Sequence, residues 1–488
     1  MAGVLWRLIR FAVGMPVWGD EAMLGLNIVN RDFSGLLLPL ELHQVAPVMY
    51  VWLQKAVQII LGANEYSMRL VALVEGLAAL AVLGVVLRRM LFLPEAVFAF
   101  GVIAVGTYSV RHSVELKPYA QDLLSSCLVW WGLVHYLSRP VPQRCLLLAG
   151  VLAAAVILSF PGVFVAGGAI IAVAVLHKNC LRIAIPRLAV LSGFTMATFA
   201  VVYFHSLRGQ IVRHETGMTT YWAEAFPPGN LTAFPLWFLK VHTGNLMAYP
   251  FGGKNFASSL TALAALAGMV ALVKRRSWVL LTAVVAPFAL TLMAAALHRY
   301  PYGGSARVSQ HLAPAIALLT GVGICAALRS IPTGIHQRRA AVILISVFLM
   351  LALGGATRDI VRPYKIRGVY EARQAINTWI SSLEPSERIE CLTPPESWDV
   401  CMQWLFLPVS SRFHGAGWPG NLTKPSDRAW VISATAHGDF LEAVQSRWPQ
   451  AKILDHRVDD FALMPPNPHR QHFERALLQI AEQKGGTN

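Results

Sequence analysis

The stretch Tyr66-Ser-Met-Arg-Leu-Val-Ala-Leu-Val-Glu-Gly-Leu-Ala-Ala-Leu-Ala-Val-Leu-Gly-Val-Val-Leu87, followed at once by Arg88-Arg89, decides the class of this chain. Its apolar length matches the roughly 20 residues that cross a bilayer's hydrocarbon core as a helix. The arginine pair after it is the mark of a cytoplasmic helix end. Working outward, comparable runs occur at 4–18, 94–110, 122–137, 145–159, 161–176, 188–205, 257–273, 277–297, 309–328 and 339–356. With 66–87 they make eleven spans. Composition agrees, since only 14% of the 488 residues are charged, 55% are apolar and the mean hydropathy is +0.51. A soluble domain carries nearer a quarter charged residues.

Charge orients the spans. Residues 1–356 hold 26 Lys and Arg against 11 Asp and Glu, whereas 357–488 hold 15 of each, so the basic excess belongs to the apolar part. The cations fall in alternate loops: Arg7 and Arg10; Arg88-Arg89; Arg139 and Arg144; Lys178, Arg182 and Arg187; Lys274-Arg275-Arg276; Arg329, Arg338 and Arg339. Glu95 is the one acid near them. Positive-inside topology accounts for this pattern and for a pI near 9.8, so no nucleic-acid partner is needed. The N-terminus is then inside and the tail outside. The first span is short and carries two arginines, yet no A-x-A-like cleavage site precedes Asp20, and it is taken as a span rather than a leader. Ala22–Leu38 and Pro47–Leu61 have the pattern of amphipathic helices lying along the interface.

After Thr357 the composition turns soluble. Helical patterning in Gly368–Leu383, strands at Ile389–Leu392, Trp430–Ala434 and Ala451–Leu454, and helices at Phe440–Trp448 and Arg470–Ala481 predict a small α/β domain. Residues 1–357 thus form a polytopic α-helical membrane domain, and 358–488 an extracytoplasmic accessory domain. On that side of the membrane disulfides persist, which makes Cys391 and Cys401, ten residues apart, a candidate pair. Two Asn-x-Thr sites, Asn230-Leu-Thr232 and Asn421-Leu-Thr423, fall on the same side.

The loops opposite the basic ones hold the chemistry. They contain Asp20-Glu21, His43, Glu115-Leu-Lys117-Pro-Tyr119-Ala-Gln-Asp122, segment 206–256, and Arg299-Tyr300-Pro301-Tyr302-Gly-Gly-Ser-Ala-Arg307. Helix capping explains an Asp-Glu pair alone, but not three polar clusters on one face. A transporter or lipid flippase would set its ionisable groups near the bilayer midplane, within broken helices; here, apart from Glu75 and His135, they sit at span ends. A scaffold leaves the gathering of acids and bases unexplained.

Glycosyl transfer from a lipid-phosphate sugar asks for a carboxylate to deprotonate the acceptor, charge to stabilise the leaving phosphate, and a groove for the polyprenyl chain. Asp20 or Glu21 supplies the carboxylate, at a helix start where the dipole favours an anion. His43, Lys117, Arg299, Tyr302 and Arg307 are candidate phosphate partners. Asp20, Glu115 and Asp122 are candidates to share a divalent cation, the only cofactor suggested. Pairing of Glu115 with Lys117 or Arg111, and capping of the next span by Asp122, is an equal alternative. Tyr300 and Tyr302 also suit an aromatic belt.

The order Gly19-Asp20-Glu21-Ala22, His43-Gln-Val-Ala-Pro47, Asn64-Glu65-Tyr66-Ser-Met-Arg69-Leu70 and Tyr108-Ser109 to Asp122 resembles the GT-C glycosyltransferases. The branch it looks like holds the protein O-mannosyltransferases and the aminoarabinose transferase of lipid A. Arg299 to Arg307, followed by Pro314, is similar to a later extracytoplasmic loop of that branch. The resemblance covers residues 15–125 and, more loosely, 295–325. It implies an inverting transferase in a bacterial plasma (inner) membrane, moving sugar from a polyprenyl-phosphate donor to a lipid, glycan or protein acceptor. It maps the catalytic acid to Asp20, beside Glu21, and the acid ending the second motif to Asp122. His-Gln-Val-Ala-Pro stands where mannosyltransferases have His-Pro-Pro.

A phosphatase reporter fused at Asn488 is expected to be active and a cytoplasm-only fluorescent reporter there dark. The reverse pattern would invert every loop assignment.

Overall fold

The computed structural model describes residues 1–210, 219–332, 334–362, 367–383, 388–392, 400–407, 428–433, 440–449, 451–461 and 471–480. The chain divides into two compact units: Met1–Val13 with Asn27–Val361, and Gly14–Leu26 with Arg362–Asn488. The tail therefore takes Gly14–Leu26 with it, a partnership that the sequence boundary near residue 357 does not include.

The first unit is helical. Its N-terminal part holds α1 (Ala2–Ala12), α2 (Gly19–Asn30, through which the division runs), α3 (Val48–Leu61), α4 (Ser67–Met90), α5 (Leu93–Ala104) and α6 (Thr107–His112). Then follow α7 (Tyr119–Ser138), α8 (Pro142–Leu158), α9 (Gly162–Leu176), α10 (Leu181–Val202) and α11 (Phe234–His242). The last four are α12 (Ser259–Lys274), α13 (Trp278–Ala296), α14 (Ala313–Arg329) and α15 (Ile335–Val361). Among the described residues, five helical segments are long and apolar enough to cross a membrane: Ser67–Met90, Leu181–Gln210, Trp278–Ala296, Ala306–Arg329 and Ile335–Val361. Helices α3, α5, α8, α9 and α12 are apolar but shorter.

Two apolar runs are not single helices. Run 4–18 is helical only to Ala12. Run 94–110 breaks between α5 and α6, where the fully buried Arg7 takes the last carbonyls of α5, donating to Ala104 O at 2.7 Å and Ile103 O at 3.3 Å. The Thr107 N–H goes instead to Pro250 O at 2.8 Å. The helix expected over Ala22–Leu38 stops at Asn30, and a 3₁₀ turn follows at Gly35–Leu37.

Helix α14 is the centre of the unit and is buried on almost every side. It packs on α5 and α12 through glycines. A methyl group on Gly323 would sit 1.8 Å from Ala264 O, one on Gly268 2.0 Å from Leu319 O, and one on Gly321 2.5 Å from Ala99 N. Small residues at such crossings let backbones touch, which suits a medium where apolar burial gains little. By contrast α15 exposes Val342, Ile343, Leu349, Met350 and Leu353, as a lipid-facing helix does.

Several charges in this unit are paired across helices. Asp359 accepts from Trp6 Nε1 at 2.8 Å and Arg10 Nη1 at 2.7 Å, tying α15 to α1. Glu95, with no exposed side-chain surface, is gripped by Arg275 (Nη1 to Oε2, 3.0 Å) and Arg329 (Nη2 to Oε1, 2.7 Å). The single acid among the basic loops is thus the knot that joins three of them.

The second unit is α/β, with α16 (Arg367–Ser382), α17 (Val400–Phe406), α18 (Phe440–Arg447) and a mixed sheet of β1 (Arg388–Cys391), β2 (Arg428–Ser433), β3 (Ala451–Phe461) and β4 (Gln471–Ile480). The order is β1-β2-β4-β3, parallel between β1 and β2 and antiparallel elsewhere. Ile376, Trp379, Met402, Phe406, Phe473 and Leu477 fill one side of the sheet; Val431, Phe440, Val444, Ala476 and Leu478 fill the other. The helix expected at Arg470–Ala481 is a strand. Its Glu, Arg, Ala, Leu and Gln residues favour helix, but pairing on both edges with β2 and β3 overrides that preference. No disulfide joins Cys391 and Cys401 in the structure: Cys391 lies buried in β1, and Cys401 Sγ accepts the Gly19 N–H at 3.2 Å. Burial pushes the Cys391 thiol up, away from reactivity. The site at Asn421 lies outside the described residues.

Removing both Arg275 and Arg329 by alanine strands a buried carboxylate, a change that costs about 3–5 kcal/mol. Glu95→Gln should cost less, because both arginines reach solvent. Thermal unfolding in detergent should rank wild type above Glu95→Gln, and the double variant last. Adding Glu95→Gln to the double variant should restore much of its stability.

Candidate functional site

Asp20 and Glu21 form the first turn of α2, where the helix dipole favours carboxylates. Asp20 is exposed and Glu21 is buried. The start of the helix is set by local contacts: the Glu21 N–H bonds Trp18 O at 2.9 Å, Trp18 packs on the sheet core, and Arg373 Nη1 holds Gly14 O at 2.8 Å. The acidic pair therefore belongs to the body of the second unit.

In the first unit, cations gather where α6 ends and α7 begins. Arg111 and Glu115 stand four residues apart and form an ion pair through Nε and Oε1. His112 Nδ1 meets the other oxygen, Oε2, at 2.7 Å. Burial would raise the Glu115 carboxyl, but the charges and hydrogen bonds of His112 and Arg111 outweigh it and hold the group well below the usual range. Burial lowers His112 in turn, against the pull of Glu115. Its ring packs between Tyr108 (6.0 Å) and Tyr119 (4.9 Å), and Nε2 is buried without a hydrogen-bond partner among the described residues.

Arg307 enters from the 3₁₀ turn Ala306–Leu312, which packs on α6 and α7. Its guanidinium lies 4.8 Å from the Trp222 ring and 5.7 Å from that of Tyr221, and donates to the Tyr221 hydroxyl at 3.0 Å. Stacking of this kind fixes the planar head. Its charge is one of those that lower His112. Lys117 Nζ bonds the Gln44 side-chain oxygen, which brings the stretch around His43 to the same group.

The other expected phosphate partners are placed differently. His43 is exposed at φ 55°, and Arg299 is exposed beyond α13. Tyr302 is buried, its hydroxyl 3.0 Å from His242 Nε2, and burial pushes the phenol up. Tyr300 donates to Val308 O at 2.8 Å, which holds the turn that carries Arg307. Arg111, His112 and Trp222 are further members of the cluster; their sequence signals are the i, i+4 spacing of Arg111 and Glu115 and the Tyr221-Trp222 doublet.

The candidate metal set does not assemble. Both oxygens of Glu115 are taken by Arg111 and His112, and Asp122 Oδ1 accepts from the buried Ser159 hydroxyl at 2.6 Å. No group of three His, Cys, Asp or Glu able to hold a metal ion occurs among the described residues. The group does bring together three cations, Arg111, Lys117 and Arg307, the side chains suited to an anion.

The sequence matches no family model and no curated protein. In fold the chain is similar to ArnT from Cupriavidus metallidurans. The apo crystal structure aligns over 96% of this chain and 96% of its own, with a TM-score of 0.53 at 12% identity. The crystal structure bound to undecaprenyl phosphate aligns over 100% and 98%, with a TM-score of 0.52 at 11% identity. The chain thus shares its overall fold with these ArnT structures, in line with the expectation from the motif order.

Glu115→Gln should lower stability by about 1–3 kcal/mol, the range for a buried partner left unsatisfied. Because the folded carboxyl lies below its unfolded value of about 4.3, this stabilisation is complete at neutral pH and fades only below about pH 4. Thermal unfolding at pH 7 should separate the variant from wild type, and the gap should narrow as the pH falls through 4.

Proposed function

We propose that this protein is an inverting glycosyltransferase that takes sugar from a polyprenyl-phosphate donor and passes it to an envelope lipid, glycan or protein on the extracytoplasmic face. The observation that carries the proposal is the alignment, over almost the whole chain, with an ArnT structure that holds undecaprenyl phosphate, a polyprenyl phosphate. The cationic group of Arg111, Lys117 and Arg307 supports it, because a leaving phosphate needs donors already in place as its charge develops.

In this proposal Asp20 is the base that accepts the acceptor's proton, with Glu21 beside it. Arg307 and Lys117 grip the phosphate, the first through a planar pair of donors and the second as a point charge. Arg111 is a partial donor, since Glu115 holds its Nε. The described residues give no support to a metal-assisted route. Eleven spans, with the second unit outside the cytoplasm of a bacterial inner membrane, complete the proposed topology.

The test is turnover and donor affinity measured on the same folded variants, with a synthetic polyprenyl-phosphate sugar. Asp20→Asn should lose at least about a hundredfold in rate while keeping donor affinity, as removal of a general base does. Lys117→Ala and Arg307→Ala should weaken both. Near-normal turnover in Asp20→Asn would move the role to Glu21, and near-normal turnover in both Asp20→Asn and Glu21→Gln would remove the base from the proposal.

A further inference from the structure

A cavity of about 770 Å³ opens in the first unit among the ends of α4 and α7 and the starts of α8 and α13. Arg89, Arg144 and Arg276 line it, and no Asp or Glu does. These arginines come from three of the basic loops assigned above to the cytoplasm. Positive-inside topology explains their presence on one face, but not their convergence on one cavity.

Two further features favour an anion there. Ser277 and the first turn of α13, Trp278 to Leu280, line the cavity, so the positive end of a 19-residue helix opens into it. Neither α13 nor α8 has an acid in its first turn, and α8 instead carries Arg144 there, a placement its own dipole disfavours. A bound anion relieves that cost. Arg144 is also held in place, donating to His135 O at 2.9 Å and Ser138 Oγ at 2.7 Å, while the His135 ring stacks on Trp131 at 5.6 Å. Arg89 and Arg276 are exposed. The rest of the wall is apolar, formed by Met90, Val134, Leu137 and Val279.

We infer that this cavity binds an anionic phospholipid. Its phosphate is held by Arg89, Arg144, Arg276 and the N-terminal turn of α13, and an acyl chain lies along the apolar wall. Basic pockets between membrane helices on the cytoplasmic side recognise headgroups in this way. The site is separate from the transferase chemistry, and its test uses no turnover.

The full chain would be reconstituted with equal phosphatidylglycerol and phosphatidylcholine, extracted, and analysed by native mass spectrometry for retained lipid. Phosphatidylglycerol should be retained in clear preference. Arg144→Ala with Arg276→Ala should reduce its retention at least about tenfold, as expected when two cations leave an anionic headgroup. Lys178→Ala with Arg182→Ala, basic positions that do not line the cavity, should leave retention unchanged. If the first pair does not yield monodisperse protein, Arg89→Ala alone should shift retention in the same direction. Equal retention of the two lipids, or equal loss in the control pair, would overturn the proposal. Displacement of the lipid by millimolar glycerol 3-phosphate would assign the cavity to a soluble phosphate and overturn it as well.

Discussion

Much of the helical unit is arranged around the requirement that a charge in an apolar slab find a partner within the protein. Glu95 meets it most completely, because two arginines from two other connections close on a carboxylate with no exposed surface. That knot fixes α5 against the ends of α12 and α14, and those contacts place α14 at the centre of the unit. Arg7 meets the same requirement without an acid. Its donors go to the carbonyls of Gly3, Ile103 and Ala104 and to the Ser113 hydroxyl, so it closes the end of α5 as a capping group would.

The same rule shapes the cationic group at α6 and α7. Glu115 is spent inside the cluster, orienting Arg111 and His112 rather than facing a ligand. Arg307 is held by aromatic faces, a way of fixing a guanidinium that does not cancel its charge. In a partly dry setting a charge–charge interaction is stronger than in water, so the placement of these groups matters more there.

Much of this was legible in the chain. Apolar length and the alternation of arginines mark the membrane helices, because both signals are local. Lys117 and Arg307 stand out because charged residues beside a span are costly. What sequence hides is partnership at a distance. Arg7 and Arg10 make the first span look weak, yet Arg7 bonds a helix end 97 residues away and Arg10 an acid 349 away. Glu115 suits a metal or an ion pair equally until its neighbours are placed. Gln471–Ile480 has the composition of a helix, and only its two strand neighbours make it a strand. Gly14–Leu26 reads as a membrane loop until its packing with the tail is seen.

The seam between α12 and α14 bears on how this chain can vary over time. Where a backbone oxygen sits within 2.0 Å of a missing methyl group, no neighbouring side chain can shrink to make room. Drift at Gly268 or Gly323 is therefore blocked by geometry, whatever the chemistry of the replacement. The outer surface of α15 faces the opposite condition, since any apolar residue dissolves in lipid equally well. Lineages of this fold should consequently keep a frozen backbone seam inside a shell whose identity wanders, and the likeness between two such proteins can fall very low while their frames still superimpose.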